Sequence, residues 1–104
     1  MTLQELENAL KAVCPATYEL AAPKGALRYI VWHRYSWHFI EGDDSKQLRI
    51  PKIQLDIVSQ TKGDALFDNV LDRLDELQQN YDIIEYGYDQ EYAAIRMIVQ
   101  LVVA

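Results

Sequence analysis

Residues 29–39 read YIVWHRYSWHF. Five of the eleven are aromatic, and both tryptophans of the chain fall here. Aromatic and β-branched residues at this density favour an extended strand. A strand with one buried face needs a large apolar group at every second position. This one carries them at both parities. In a regular strand Tyr29, Val31, His33, Tyr35, Trp37 and Phe39 share one face, and Ile30, Trp32, Arg34, Ser36, His38 and Ile40 share the other. Any fold for the chain has to give both faces something to do.

The surrounding sequence supplies material for one face only. Thr2 and Glu5 form a capping box, and Leu3, Leu6, Leu10 and Val13 follow at helical spacing, which predicts a helix over 3–13 ended by Pro15. Residues 15–26 (PATYELAAPKGA) read as a connecting loop, with Pro23 and Gly25 favouring a turn. A strand from about 27 to 40, the polar turn EGDDSKQ and a second strand over 48–59 read as an antiparallel hairpin, with Pro51 suited to an edge, a bulge or a strand start. Asp64 is the expected N-cap of a second helix whose stripe is Leu66, Phe67, Val70, Leu71, Leu74 and Leu77, with Asn80 as its stop. Strands over 81–86 and 91–103 close the chain around a YGYDQ turn. Ala93, Ile95, Met97, Val99, Leu101 and Val103 share one face of the last strand.

The expected fold is therefore a single α+β domain over 1–104 in the order α-β-β-α-β-β. A four-stranded, mainly antiparallel sheet has both helices on one face. Two helices of about three and four turns cover one face of such a sheet and leave the other open. No apolar run reaches the roughly 18 residues of a membrane span. The opening MTLQELENAL has acids where a signal peptide has bases, so a soluble cytoplasmic protein is expected, without membrane contact. Cys14 is the sole cysteine, which excludes an intrachain disulfide and suits a small buried filler.

Little in the sequence suggests chemistry. His33 and His38 differ in parity and cannot share a metal ion unless a bulge lies between them. Asp43, Asp44, Asp89 and Glu91 sit in turns without the spacing of a calcium loop. No phosphate-binding glycine loop, GxSxG or HExxH occurs. The expectation is a protein that is not an enzyme, with no catalytic residue, metal or cofactor.

Charge and aromatics are more informative. Residues 1–40 carry a net +1 (four basic, three acidic) and residues 41–104 a net −7 (six basic, thirteen acidic). Such a balance argues against a general nucleic-acid binder. From Asp64 to Glu91 there are nine acids and one base, Arg73. Asp64, Asp68, Asp72, Asp75 and Glu76 cluster on the polar side of the second helix. That pattern is either a solvated face or a surface that meets a basic partner or repels nucleic acid. The uncovered sheet face and the aromatics at both parities of the long strand suggest a subunit interface, for which Trp32, Arg34, Tyr35, Trp37, Phe39, Tyr92, Arg96 and Ile98 are the candidates. The alternative is that the long strands run past the sheet as a separate arm.

The layout also resembles a family. The N-terminal helix MTLQELENAL, the loop into RYIVW, the strand IPKIQLDIVSQTKGD running into an acidic helix, and the closing DQEYAAIRMIVQL are similar to the tail-completion or tail-terminator proteins of long-tailed bacteriophages and prophages. The likeness spans nearly the whole chain and rests on pattern and layout. It implies a virion structural protein in the phage tail or neck, assembled in the bacterial cytoplasm. Such proteins form a ring of about six subunits that caps the tail tube, joins it to the head connector and lets DNA pass without specific binding. It implies self-association, tail-tube and connector proteins as partners, and no cofactor. An acidic lumen would then be formed from the 41–47 turn (Asp43, Asp44) or the second helix (Asp68, Asp72, Asp75, Glu76). The alternative from a different class is a small ligand-binding or regulatory α+β domain that dimerises through its open sheet face.

Overall fold

The computed structural model describes residues 1–41 and 47–103, with side chains for all of these except 40, 41, 47 and 48. It has two helices, α1 (Leu3–Val13) and α2 (Leu66–Glu76), and five strands. The strands are β1 (Thr17–Glu19), β2 (Tyr29–Glu41), β3 (Gln47–Ser59), β4 (Tyr81–Asp89) and β5 (Ala94–Val102). The α+β class is as expected. The sheet differs from the expected four antiparallel strands: it is five-stranded and mixed, in the order β1-β2-β3-β5-β4, with β1 parallel to β2.

The added strand comes from the stretch read as a loop. Thr2 Oγ accepts from the Glu5 N–H at 3.1 Å to start α1, and Cys14 ends it with its N–H on Leu10 O. Pro15 turns the chain back, and Thr17 Oγ donates to Cys14 O at 2.7 Å. Thr17 then pairs with Ile30 along the β2 edge. Residues 20–28 carry the chain from β1 to β2. Gly25 sits at φ 89, the second central position of a turn closed by Ala26 N–H on Pro23 O, where a side chain would be strained.

One core lies between the helices and one sheet face. Leu6 and Leu10 of α1 and Leu66, Phe67, Val70 and Leu74 of α2 pack on Ile30, Trp32, Ile53, Leu55, Ile57, Met97, Val99 and Leu101. Cys14 is buried among them, as its filler role required. The register explains the selection. Ile30↔Ile57, Trp32↔Leu55 and Leu55↔Val99 pair across the sheet, so one parity of three strands meets the helices.

Helix α2 is shorter than its apolar stripe predicted. Asp64 makes the capping bond two residues ahead of the helix start, accepting from Leu66 N–H at 2.9 Å. The stop is Gln78, not Asn80. Gln78 sits at φ 57, its N–H on Asp75 O and the Gln79 N–H on Leu74 O, which is the Schellman arrangement. Glycine adopts this conformation without the steric penalty of a side chain. Gln78→Gly is therefore expected to stabilise the protein by about 1 kcal/mol, measured as a shift in the urea midpoint at unchanged slope.

The hairpin of β2 and β3 contains the main departure from regularity. Arg34 pairs with Ile53, but the next pair is Ser36↔Lys52, so Tyr35 is an extra residue in β2. This bulge reverses the alternation. Beyond it, Trp37↔Pro51 and Phe39↔Arg49 fall at the parity of Ile30 and Trp32, not of Tyr29 and Val31. The expected six-residue face is therefore split.

The same hairpin outruns the sheet. β3 pairs with β5 only from Lys52 to Ser59, whereas its pairing with β2 continues to Glu41↔Gln47. Pro51 stands where the strand leaves the sheet, its carbonyl taking the Val103 N–H at 3.1 Å. The pairs from Trp37 to Glu41 thus form a two-stranded arm. The molecule measures 51 × 27 × 22 Å, and its radius of gyration of 14.7 Å exceeds the about 13 Å of a compact chain of this length. A two-stranded ribbon in water is marginal on its own.

Candidate functional interfaces

Three surfaces account for the residues singled out by sequence. The first is the open sheet face, which is not the apolar interface expected. At one end the 20–26 segment faces Tyr29, Val31, Asp56 and Tyr92 across a cleft of about 310 Å³. Val31 and Val58 are buried on this side. Elsewhere the face is tied up by its own polar groups. Tyr35 Oη donates to Gln100 Oε1 (3.3 Å), Gln100 Nε2 to Gln54 Oε1 (3.1 Å), and Gln54 Nε2 to Asp56 Oδ1 (3.3 Å). Arg96 then bridges Asp56 (3.2 Å) and Asp89 (3.3 Å) and lies over the Tyr92 ring at 4.5 Å.

This chain of contacts crosses β2, β3, β5 and the end of β4. Burial works to lower the Arg96 pKa, but Asp56 and Asp89 more than reverse it, so the guanidinium is held firmly charged. The Asp89 carboxyl is held below its ordinary value, first by the Tyr92 N–H and then by Arg96 and the Glu91 N–H. Arg96 and Tyr92, expected at an interface, are thus engaged within the chain, and Ile98 is half-buried beside them.

The second surface is the arm. Trp32, also expected at an interface, is 4% exposed and belongs to the core, because it pairs with Leu55 on the part of the sheet face that meets the helices. Trp37 and Phe39 follow the bulge and are 42% and 51% exposed, at core parity but beyond the reach of the helices. Arg34 stacks over the Trp37 ring at 4.9 Å, and Arg49 pairs opposite Phe39. Residues 27–39 and 49–52 contain four bases and no acid. The arm flank is therefore aromatic and basic. Asp43 and Asp44, expected in an acidic lumen, lie outside the described residues.

The same bulge also changes the reading of the histidines. His33 and His38 do share a face, but they pair with Gln54 and Ile50, four residues apart and so about 13 Å from each other along the sheet. No cluster of three or more metal-ligating side chains occurs among the described residues.

The third surface joins the acids of α2, singled out by sequence, to a β4 edge that was not. β4 is an edge strand, and Ile83, Ile84, Tyr86 and Tyr88 are about half exposed or more. A second bulge, at Ile84 between Ile83↔Val99 and Glu85↔Ile98, breaks its alternation. Tyr86 meets Phe67 of α2 edge-on, ring centres 5.3 Å apart. A groove of about 290 Å³ runs here between α2 and β4, floored by Phe67, Leu71, Ile83, Tyr86 and Met97 and rimmed by Asp68. Asp68, Asp72, Asp75 and Glu76 are all exposed along α2, with Glu76 paired to Arg73 at 2.9 Å.

Asp64 does not belong to that solvated set. Its carboxylate accepts from Arg28 Nε (2.8 Å) and Nη2 (3.1 Å), from Ser59 Oγ and from Leu66 N–H. Its pKa is held far below the ordinary range, first by Arg28, then by Ser59 and the Leu66 N–H, with burial opposing.

No family model, no curated protein and no solved structure matches this chain.

Proposed function

We propose that the chain is a structural assembly subunit, a tail-terminator or head–tail joining protein that forms a ring capping a phage tail tube and lets DNA pass. The observation that carries this reading is the arm. A two-stranded ribbon that projects past its own sheet and exposes Trp37 and Phe39 between two arginines is poorly stabilised alone and gains from burial against another chain. An exposed β4 edge adds a second unsatisfied border. The acids of α2 support the passage of DNA, since a negative surface repels the phosphate backbone.

Interfaces of this kind concentrate their energy in a few aromatic and arginine anchors. Trp37→Ser is accordingly expected to leave thermal stability nearly unchanged and to weaken binding to the tail-tube protein encoded in the same genome by at least about tenfold. Co-sedimentation of the purified chain with assembled tubes measures this. Absence of wild-type binding to the tubes would remove the reading.

The dimeric regulatory alternative relied on an apolar open sheet face. The hydrogen-bonded row from Tyr35 to Asp89 leaves that face less suited to dimerisation than the arm and the β4 edge.

A further inference from the structure

We infer that the arm of one copy docks in the α2–β4 groove of a second copy of this chain, in a head-to-tail contact. This inference deepens the assembly reading and rests on it for the ring, but the contact itself stands on the two surfaces.

They are complementary in chemistry. The arm presents Trp37 and Phe39 with Arg34 and Arg49 beside them, and Glu41 follows at its far end. The groove offers an apolar floor that includes Phe67 and Tyr86, with Asp68 on its rim. Asp68 has no ion pair among the described residues, whereas Asp64 at the same groove is occupied by Arg28. An aromatic anchor flanked by a guanidinium suits such a site, because the ring is desolvated while the cation meets a carboxylate.

The occupant is a second copy because the arm cannot reach its own groove. The arm leaves the sheet at Pro51, while the groove runs from Ile83, level with Leu55 through Val99, to Gly63 and Asp64 past the opposite end of β3 at Ser59. Eight residues of strand, about 26 Å, separate the two ends. The arm also belongs to β2 and β3, and the groove to the far sheet edge. Two unlike surfaces at opposite ends of one molecule make a heterologous contact, which closes into a ring or continues as a filament. Asp68 then serves the subunit contact, leaving Asp72, Asp75 and Glu76 for the DNA-facing surface.

Mixing defective copies tests the contact. Trp37→Ser spoils the arm and keeps the groove. Asp68→Arg spoils the groove rim and keeps the arm, and Tyr86→Ser is a second groove variant should the first perturb α2. Light scattering over a concentration series, with circular dichroism to check folding, should show wild-type mass rising past a dimer and each single variant associating at least tenfold more weakly. A one-to-one mixture of an arm variant and a groove variant should form a heterodimer and stop there.

A wild-type chain that remains monomeric at all concentrations overturns the inference. So does a stable dimer indifferent to all three changes. Tube binding without self-association would leave the assembly reading standing and the contact refuted. An arm that instead retains a fluorescent single-stranded oligonucleotide, with groove variants silent in association, would assign its arginines to nucleic acid and likewise overturn the contact.

Discussion

Trp32→Ala is expected to cost about 4 kcal/mol of folding stability, while Trp37→Ala, five residues further along the same strand, costs less than about 1 kcal/mol. Trp32 is 4% exposed, pairs across to Leu55 and fills the space under both helices. Its removal forfeits the transfer of a large ring and leaves a cavity that the surrounding Leu and Ile side chains fill only in part. Its Nε1 lacks a partner among the described residues, so part of the gain from burial is already offset. Even so, about 4 kcal/mol is a large share of the 5–15 kcal/mol of an ordinary domain. It corresponds to a fall in melting temperature of about 20 °C. Trp37 has no such surroundings, since the helices end before the arm begins. Paired calorimetric scans of the two variants check the contrast. Equal losses would mean that Trp37 is packed as closely as Trp32 and that the arm does not stand clear of the core.

Asp64→Ala is the second large effect, a loss of about 3 kcal/mol at neutral pH. One carboxylate caps α2 through Leu66 N–H, holds the end of β3 through Ser59 Oγ, and takes both Arg28 hydrogens from the segment entering β2. The Asp64 side chain is 11% exposed but Arg28 is 48% exposed, so the freed guanidinium rehydrates and the full penalty of a stranded buried charge does not apply.

The pH dependence follows from the lowered folded-state pKa. A carboxylate whose pKa is depressed on folding contributes its stability fully above the unfolded value of about 4, and loses it as pH falls toward the folded value. The gap between wild type and Asp64→Ala should therefore be widest near pH 7 and narrow progressively below about pH 4. Urea titrations at several pH values measure it. A gap that stays constant down to about pH 2 would mean that the carboxylate's charge is not what stabilises the junction.

The parts of the fold legible in sequence are those set by local period. The stripes of α1 and α2, and the alternation in Ile53, Leu55, Ile57 and in Met97, Val99, Leu101, place the right side chains in the core. What was illegible depends on register or on distant partners. β1 is three residues of PATYE with no usable alternation, and it becomes a strand only because the β2 edge at Ile30 is there to receive it. The bulge at Tyr35 has no glycine to announce it, yet it brings Trp37 to the parity of Trp32, so that position along the strand, not face, separates the buried ring from the exposed one. Strict alternation across 29–39 sets the two rings on opposite faces, and with that one extra residue they fall on the same one.

The same limit holds for the surfaces. Gln54, Asp56, Arg96 and Gln100 read as ordinary polar positions, and only the β3–β5 register, with Gln54↔Gln100 paired, joins them into a network. The YDIIEYGYD strand lacks a clean alternation because of its own bulge, so its exposed edge could not be told from a half-buried one. Its Ile83–Ile84 doublet was the one available signal. The charge asymmetry of the chain was plain from composition, and it matters here because Arg34 and Arg49 flank the exposed rings of the arm while Asp68 stands on the groove rim.

The most direct measurement for the central claim is the length of tail tubes. Tubes polymerised from the tail-tube protein of the same genome would be imaged by electron microscopy with and without substoichiometric amounts of this chain. Short tubes are expected, each closed at one end by a ring, with unrestricted growth when Trp37→Ser replaces the wild type. Tubes of the same length with and without the wild-type chain would contradict it.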